Sequence, residues 1–294
     1  MKNSQNINGR AFEYGIAIAL SENLQVNLTK NQSLKNALDS FLMCNAEEQK
    51  NIKLASKEVS KFLLSKELMF SDSNCSICLQ PDQVGMKGDV RDIVLHHSKL
   101  NIDVGISAKN RHYAVKHSRL SQKIDFGQEW FSMPCSTEYF HIISPIFRDL
   151  QDRKNKKEKW KDIVDKSTKY YIPILKAFEN EVKNLSNKNP TRVAKEFVWY
   201  LLGRFDFYKI IKSNGNIEII SFNISGTLKW GKKIPLPTSI IDISMKPKSE
   251  TTLLLVFDQG WQISLRLHNA RTLVEPSLKF DIQIIGFPSS ISRY

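Results

Sequence analysis

Negative charge is scarce in this sequence: 30 Asp and Glu stand against 43 Lys and Arg, a net of +13 over 294 residues. A chain so short of acids meets polyanions favourably, because each phosphate neutralised by a lysine or arginine releases a counterion. The plainer alternative is an ordinary basic protein. Long apolar runs are missing as well; none reaches the ~18 residues of a membrane-spanning helix. The opening "MKNSQNINGRAFEYG" lacks the charged segment followed by an apolar one that marks a secretory signal. A cytoplasmic protein with no membrane partner is therefore expected. Cysteine is rare, limited to Cys44, Cys75, Cys78 and Cys135. Cys75 and Cys78 form one Cys-x-x-Cys, but a structural zinc site needs a second such pair, so the thiols are read as reduced and partly buried. What remains is an ordinary apolar fraction of 41%, enough for one large domain or two smaller ones.

The pattern along the chain is mixed α/β (α+β). Phe12, Ile16, Ala19, Leu20 and Leu24 recur at helical spacing and predict a helix over 9–25, and residues 46–69 predict one or two more. Residues 111–122 read as helical, and "DFGQEWFSMPCSTEYFHII" as loop followed by a short helix from about Ser136. Residues 151–170 carry eight basic and four acidic side chains in a stretch of high helix propensity. That run is either a solvated helix face or an arm that tracks phosphates. From Asp206 onward strands dominate, with an Asn-Gly turn at Asn214–Gly215 and another turn at Asp258–Gly260. Texture thus divides the chain into 1–150, a basic helical 151–204, and a β-rich 205–294. Aromatics crowd the later part: Trp199, Tyr200, Phe205, Phe207, Tyr208, Trp230 and Trp261. Most are read as core, with base stacking as the alternative.

One stretch concentrates chemistry. "KGDVRDIVLHHSKLNIDVGISAKNRH" reads as two neighbouring strands, 91–96 and 102–109, with acids opening the first and a lysine closing the second. Side chains alternate along a strand, so Ser107 and Lys109 share a face roughly 7 Å apart. Antiparallel pairing brings Asp92 to the same end, so Asp92, Ser107 and Lys109 can converge. Asp103 lies on that face but roughly 13 Å away, too far to share a magnesium ion bound at about 2.1 Å. His96 and His97 sit at the turn, as surface residues or, less simply, as metal ligands. Such a group suits phosphodiester hydrolysis: a carboxylate holds a hard cation on the phosphate, and a lysine orients the water and meets the growing charge.

"RDIVL" followed by "GISAK" resembles the PD-(D/E)xK nuclease motif, with Arg91 at the proline position and Ser107 at the second acid. Further segments, "NGRAFEYGIAIAL", "KNRHYAVKHSRLS", "IDFGQEWFSMPCSTEYF" and "GWQISLRLHNARTLVEPSLKFDIQIIGFP", are similar, in order, to the HaeIII-type restriction endonucleases. The resemblance implies a PD-(D/E)xK core of mixed central sheet flanked by helices within 1–150. It adds a β-rich region at 205–294 that contributes DNA recognition. It implies a type II enzyme that cuts double-stranded DNA with Mg2+, at GGCC, alongside a cognate DNA methyltransferase and with a homodimer as one option. Asp92, Ser107, Lys109 and Glu13 are the implied catalytic group. Asp92, with Asp89 or the helical Glu13 making good the acid missing at 107, is the implied metal set. Two alternatives stay open: a structure-specific repair or junction-resolving nuclease of the same fold, and a DNA-binding protein whose nuclease site has decayed.

Candidate DNA contacts follow the lysine directly: Arg111, His112, Lys116, His117 and Arg119. On a helix, His112, Lys116 and Arg119 would line one side, facing phosphates. Arg266, His268 and Asn269 end a later strand; arginine can pair with guanine and asparagine with adenine, although His-Asn at a strand end is often only a turn.

Overall fold

The computed structural model describes residues 4–71, 74–81, 89–110, 116–213 and 216–294. Two compact units account for the chain. The first is Met1–Tyr113, Leu202–Ile234 and Ser290–Tyr294; the second is Ala114–Leu201 and Pro235–Ser289. The contiguous division at 150 and 205 does not coincide with them, because strands far apart in sequence complete each sheet.

In the first unit, α1 (Ser4–Leu24), α2 (Gln32–Leu42) and α3 (Ala46–Lys66) precede most of the sheet. Helix α1 buries Phe12, Ile16 and Leu20, an i, i+4 stripe. Asn31 and Asn45 cap α2 and α3 by accepting from the backbone N–H of Leu34 and Glu48. Helix α3 stops at Lys66, and a single tight turn, Leu68–Ser71, follows it. The sheet comprises β1 (Cys75–Leu79), β2 (Ile93–His97), β3 (Ile102–Asn110), β5 (Phe207–Ser213), β6 (Asn216–Phe222) and β11 (Ser292–Arg293), in the order β1-β2-β3-β5-β6-β11. Only β3 and β5 pair in parallel among these neighbours. Val104, Ile106 and Ala108 of β3 join Ala11, Phe12 and Ile16 of α1 in one core. The strands flanking the Asn-Gly turn lie where the pattern predicts, while Asn214 and Gly215 fall outside the described residues. Strand β1 sets Cys75 and Cys78, three residues apart, on opposite faces; all four cysteines are free thiols.

The second unit has a five-stranded antiparallel sheet, ordered β4-β10-β9-β8-β7. Its strands are β4 (Lys116–Ser121), β7 (Ile240–Met245), β8 (Thr252–Phe257), β9 (Gln262–His268) and β10 (Ser277–Gly286). Its helices are α4 (Phe126–Phe131), α5 (Thr137–Asn155), α6 (Ile172–Lys188) and α7 (Pro190–Leu202). Rings from helices and sheet, including Phe126, Trp130, Phe131, Phe178, Phe197 and Phe280, pack together there.

Three expectations are corrected here. The helix expected at 111–122 is strand β4 over its described part. Ser118 and Leu120 are buried with Arg119 half-buried between them, a period of two, and β4 pairs with β10 residue by residue. The loop before Ser136 contains α4, capped by Asp125 and closed by Ser132 in the left-handed region at φ 52°. Six residues are too few for a helical period to register in sequence. Ser136 does cap the next helix, as its position suggests. The basic stretch 151–170 is not one helix. Helix α5 ends at Asn155, Lys157 and Asp165 take positive φ, and Trp160 donates its backbone N–H to Thr272. Of the aromatics, Phe207, Tyr208 and Trp261 are buried, Trp199, Tyr200 and Trp230 are half-buried, and Phe205 is exposed.

Candidate active site

The β2–β3 hairpin pairs Ile93 with Ile106 and His96 with Asp103. This register places Asp92, one residue before β2, beside Ser107. Its carboxylate Oδ2 accepts from Ser107 Oγ at 3.1 Å, from the Ala108 backbone N–H at 2.8 Å and from Lys109 Nζ at 3.0 Å. Ser107 is buried, whereas Asp92 and Lys109 keep 23% and 28% of their side chains exposed. Alternation turns Ser107 and Lys109 away from the face that Ile106 and Ala108 pack against α1. The group is thus fixed by strand geometry on one side and open to solvent on the other. Glu13 is half-buried on α1, the helix packed on the Ile106 face.

Sequence reasoning missed a fourth member. The parallel pairing of β3 with β5 sets Lys209 directly across from Ser107. Lys209 is 6% exposed. Burial first, and then the neighbouring Lys109 ammonium, push its pKa down to about 8, while Glu218 and Asp92 pull the other way. The only local signal is a lysine on the same alternate positions as Phe207 and Ile211, in a strand whose residues are nearly all buried.

Asp89 pairs with Arg91 rather than with the Asp92 group. Arg91 grips it through Nε at 2.8 Å to Oδ1 and Nη2 at 2.7 Å to Oδ2, and its backbone N–H adds a bond at 3.1 Å to Oδ1. Both groups are buried, so this carboxylate neutralises an arginine. Arg91 takes the motif's proline position for a visible reason. Its stem lies against Gly105, where an added Cβ would sit 2.1 Å from Arg91 Cδ, and its guanidinium caps the Phe205 ring at 3.9 Å. Asp103 is bonded to His96 at 2.8 Å, away from the Asp92 group. His97 is buried rather than superficial, its Nδ1 accepting from the Leu100 backbone N–H.

The candidate DNA contacts divide. Arg111 and His112 lie outside the described residues, and Lys116 and His117 are placed by backbone pairing with Ile282 and Asp281. Arg119 donates to Ser277 Oγ at 2.9 Å. Arg266, 60% exposed, and His268, a quarter exposed, both lie 3.5 Å from Asp281 Oδ2. Burial lowers the His268 pKa, opposed by Asp281 and aided by Arg266 and Lys279. Asn269 does not offer its amide to a base. Nδ2 donates to the carbonyls of Arg271 and Leu273, and Oδ1 accepts from the Glu275 backbone N–H, so the side chain builds the turn.

The description "HaeIII restriction endonuclease" matches residues 9–288 of the chain. The chain belongs to the HaeIII restriction endonuclease family. It is similar, at 42% identity over 310 aligned positions, to the type II restriction enzyme HaeIII of Haemophilus aegyptius, covering 99% of this chain and 97% of that one. The HaeIII family therefore makes this chain a type II restriction endonuclease, a site-specific deoxyribonuclease that acts on duplex DNA. Among the described residues no helix is long and apolar enough to cross a membrane.

Type II restriction enzymes use a divalent metal. Among the described residues no three Asp, Glu, His or Cys side chains cluster to enclose an ion. The donor set still fits a hard cation that keeps several waters and takes other ligands from substrate phosphate. The described bonds to the Asp92 carboxylate from Ser107, the Ala108 N–H and Lys109 all fall on Oδ2.

Proposed function

We propose that this HaeIII-family enzyme cleaves double-stranded DNA at GGCC by Mg2+-dependent phosphodiester hydrolysis, with Asp92, Ser107, Lys109 and Glu13 as its catalytic group. The observation that carries the reading is the convergence of three donors on one carboxylate oxygen at 2.8–3.1 Å. Asp92 is the carboxylate that would hold the ion, with Ser107 and the Ala108 N–H fixing its rotamer through Oδ2. When bound, the metal acts as a Lewis acid on the phosphate and acidifies a water. Lys109 stands beside Asp92 to orient that water and to meet the charge that develops on phosphorus oxygens. Glu13 supplies the carboxylate that Ser107 lacks.

Recognition falls to the polar face of the second sheet. Arg266 is exposed enough to take guanine edges, and Arg119 and His268 flank it; Arg111, His112, Lys116 and His117 contact phosphates. A palindromic four-base site carries two-fold symmetry, which favours a homodimer over a monomer that nicks each strand in turn. A cognate DNA methyltransferase protects the host, and both act in the cytoplasm. The neutral Ser107 is the one feature that favours the decayed, binding-only reading.

Digestion of a plasmid of known sequence, with and without Mg2+, tests the whole proposal. Discrete fragments ending at GGCC only with Mg2+ are expected. Binding without cutting would leave the decayed reading, and cutting only at branched DNA would leave the junction-resolving one.

A further inference from the structure

The residue before Asp92 is an arginine where the nuclease motif has a proline, and a proline would fix its own φ by its ring. Arg91 has no ring, and it precedes the first paired residue of β2. Its side chain does the holding. Nε and Nη2 reach the Asp89 carboxylate at 2.8 and 2.7 Å, and the Arg91 backbone N–H returns to the same carboxylate at 3.1 Å, which closes residues 89–91 into a ring. Gln80 ties that ring to Asp92: its Nε2 donates to Asp89 at 3.3 Å and its backbone N–H to the Asp92 carbonyl at 2.8 Å. The Asp92 backbone N–H donates in turn to the Ile106 carbonyl at 2.7 Å. The surroundings are shaped for this arginine. Gly105 leaves room for its stem, since an added Cβ would fall 2.1 Å from Arg91 Cδ, and the half-exposed Phe205 ring lies against its guanidinium. Alternation places the missing Gly105 Cβ on the face of Ser107 and Lys109, so the Arg91 stem runs beside the Asp92 group. Two well-packed apolar side chains would serve stability at least as well as a buried ion pair. Stability alone therefore does not account for the clamp; its place beside Asp92 does.

We infer that Arg91 is a positioning residue for Asp92: its grip on Asp89 fixes the main chain that leads into the catalytic carboxylate and so sets that carboxylate for a divalent ion. Two sets of bonds act on Asp92 from opposite ends. Ser107, the Ala108 N–H and Lys109 hold its Oδ2, while Gln80 and the Arg91–Asp89 ring hold its backbone. A carboxylate whose direction is fixed before the ion arrives loses less freedom on binding it. That matters more here because Ser107 brings no charge to attract the cation. Arg91 acts through Asp92 and touches neither ion nor DNA in this role. The inference rests on the hairpin being the cleavage centre.

The test reads metal binding apart from cleavage. Mn2+ bound to the protein is titrated by electron paramagnetic resonance, beside single-turnover cleavage in saturating Mg2+ and duplex affinity in EDTA. Arg91→Lys keeps a positive charge next to Asp89 but cannot bridge both carboxylate oxygens. It is expected to bind Mn2+ about tenfold more weakly and to cleave about tenfold more slowly, with duplex affinity in EDTA unchanged. The neutral pair Asp89→Asn with Arg91→Met strands no charge and is expected to show the same losses. All proteins are compared well below their melting temperatures, where a purely structural ion pair would leave Mn2+ affinity and rate alone. Wild-type Mn2+ affinity and rate in folded Arg91→Lys overturn the inference. A loss confined to the pair lacking Asp89 overturns it too, since Asp89 would then be the ligand. Should the neutral pair not fold, as read from its melting curve, Arg91→Lys alone decides. Asp92→Asn is the control: unchanged Mn2+ binding and cleavage there remove the hairpin reading itself, whereas loss there beside wild-type behaviour in Arg91→Lys removes Arg91 alone.

Discussion

The two sheets use polar residues in opposite ways. In the first, Asp92, Ser107 and Lys109 gather at one spot on one face, tied by bonds near 3 Å, with Lys209 in register across from Ser107. In the second, Arg119, Arg266, His268, Lys279 and Asp281 spread over neighbouring strands, and Arg266 and His268 stand 3.5 Å from Asp281 Oδ2. Short bonds in low dielectric preorganise a reacting group. Longer contacts leave side chains free to turn toward a base or a phosphate. Substitutions in the first sheet should therefore change rate, and those in the second should change affinity and choice of sequence.

The sharpest break in that contrast is Lys109→Ala. Cleavage is expected to drop by about a thousandfold or more with duplex affinity nearly intact; a single-turnover assay at saturating enzyme, beside a binding titration, separates the two. Next comes Arg91→Ala, which strands Asp89 as a buried unpaired charge and should cost about 3–5 kcal/mol of stability. Urea unfolding measures it, and unchanged stability would return Asp89 to the metal set. Arg266→Ala should weaken binding by about 1–3 kcal/mol and relax discrimination at one guanine, with the rate on saturated DNA preserved; competition between duplexes altered one base at a time shows which. Smallest is Glu13→Gln, for which a fall of about tenfold in rate follows if it completes the metal shell. A rate equal to wild type across a Mg2+ titration would leave Glu13 outside the site.

Much of the first sheet was legible because its signals are local. The hairpin folds back over a short turn, so alternation alone brings Asp92 to Ser107 and Lys109. Lys209 was not legible, because parallel pairing joins segments with no shared local pattern and "FYKIIKS" by itself is an ordinary strand. The partner of Asp89 was not legible for the reverse reason: it is near Asp92 in sequence, but Arg91, two residues on, holds its carboxylate. The segment "KHSRLS" has both helical and alternating readings, and only its partner β10 decides between them. Asn269 carries a base-reading amide by type, yet the backbone of its own turn uses every part of it.

The parallel contact between β3 and β5 has a consequence for synthesis. Roughly a hundred residues of the second unit are translated between those two strands, and closing so long a loop is slow and late. A nascent chain in that interval already carries Asp92 and Lys109, but β3 is an open edge and Lys209 has only just been made or is still to come. The sheet that carries Asp92 and Lys109 is therefore completed only after much of the second unit has left the ribosome.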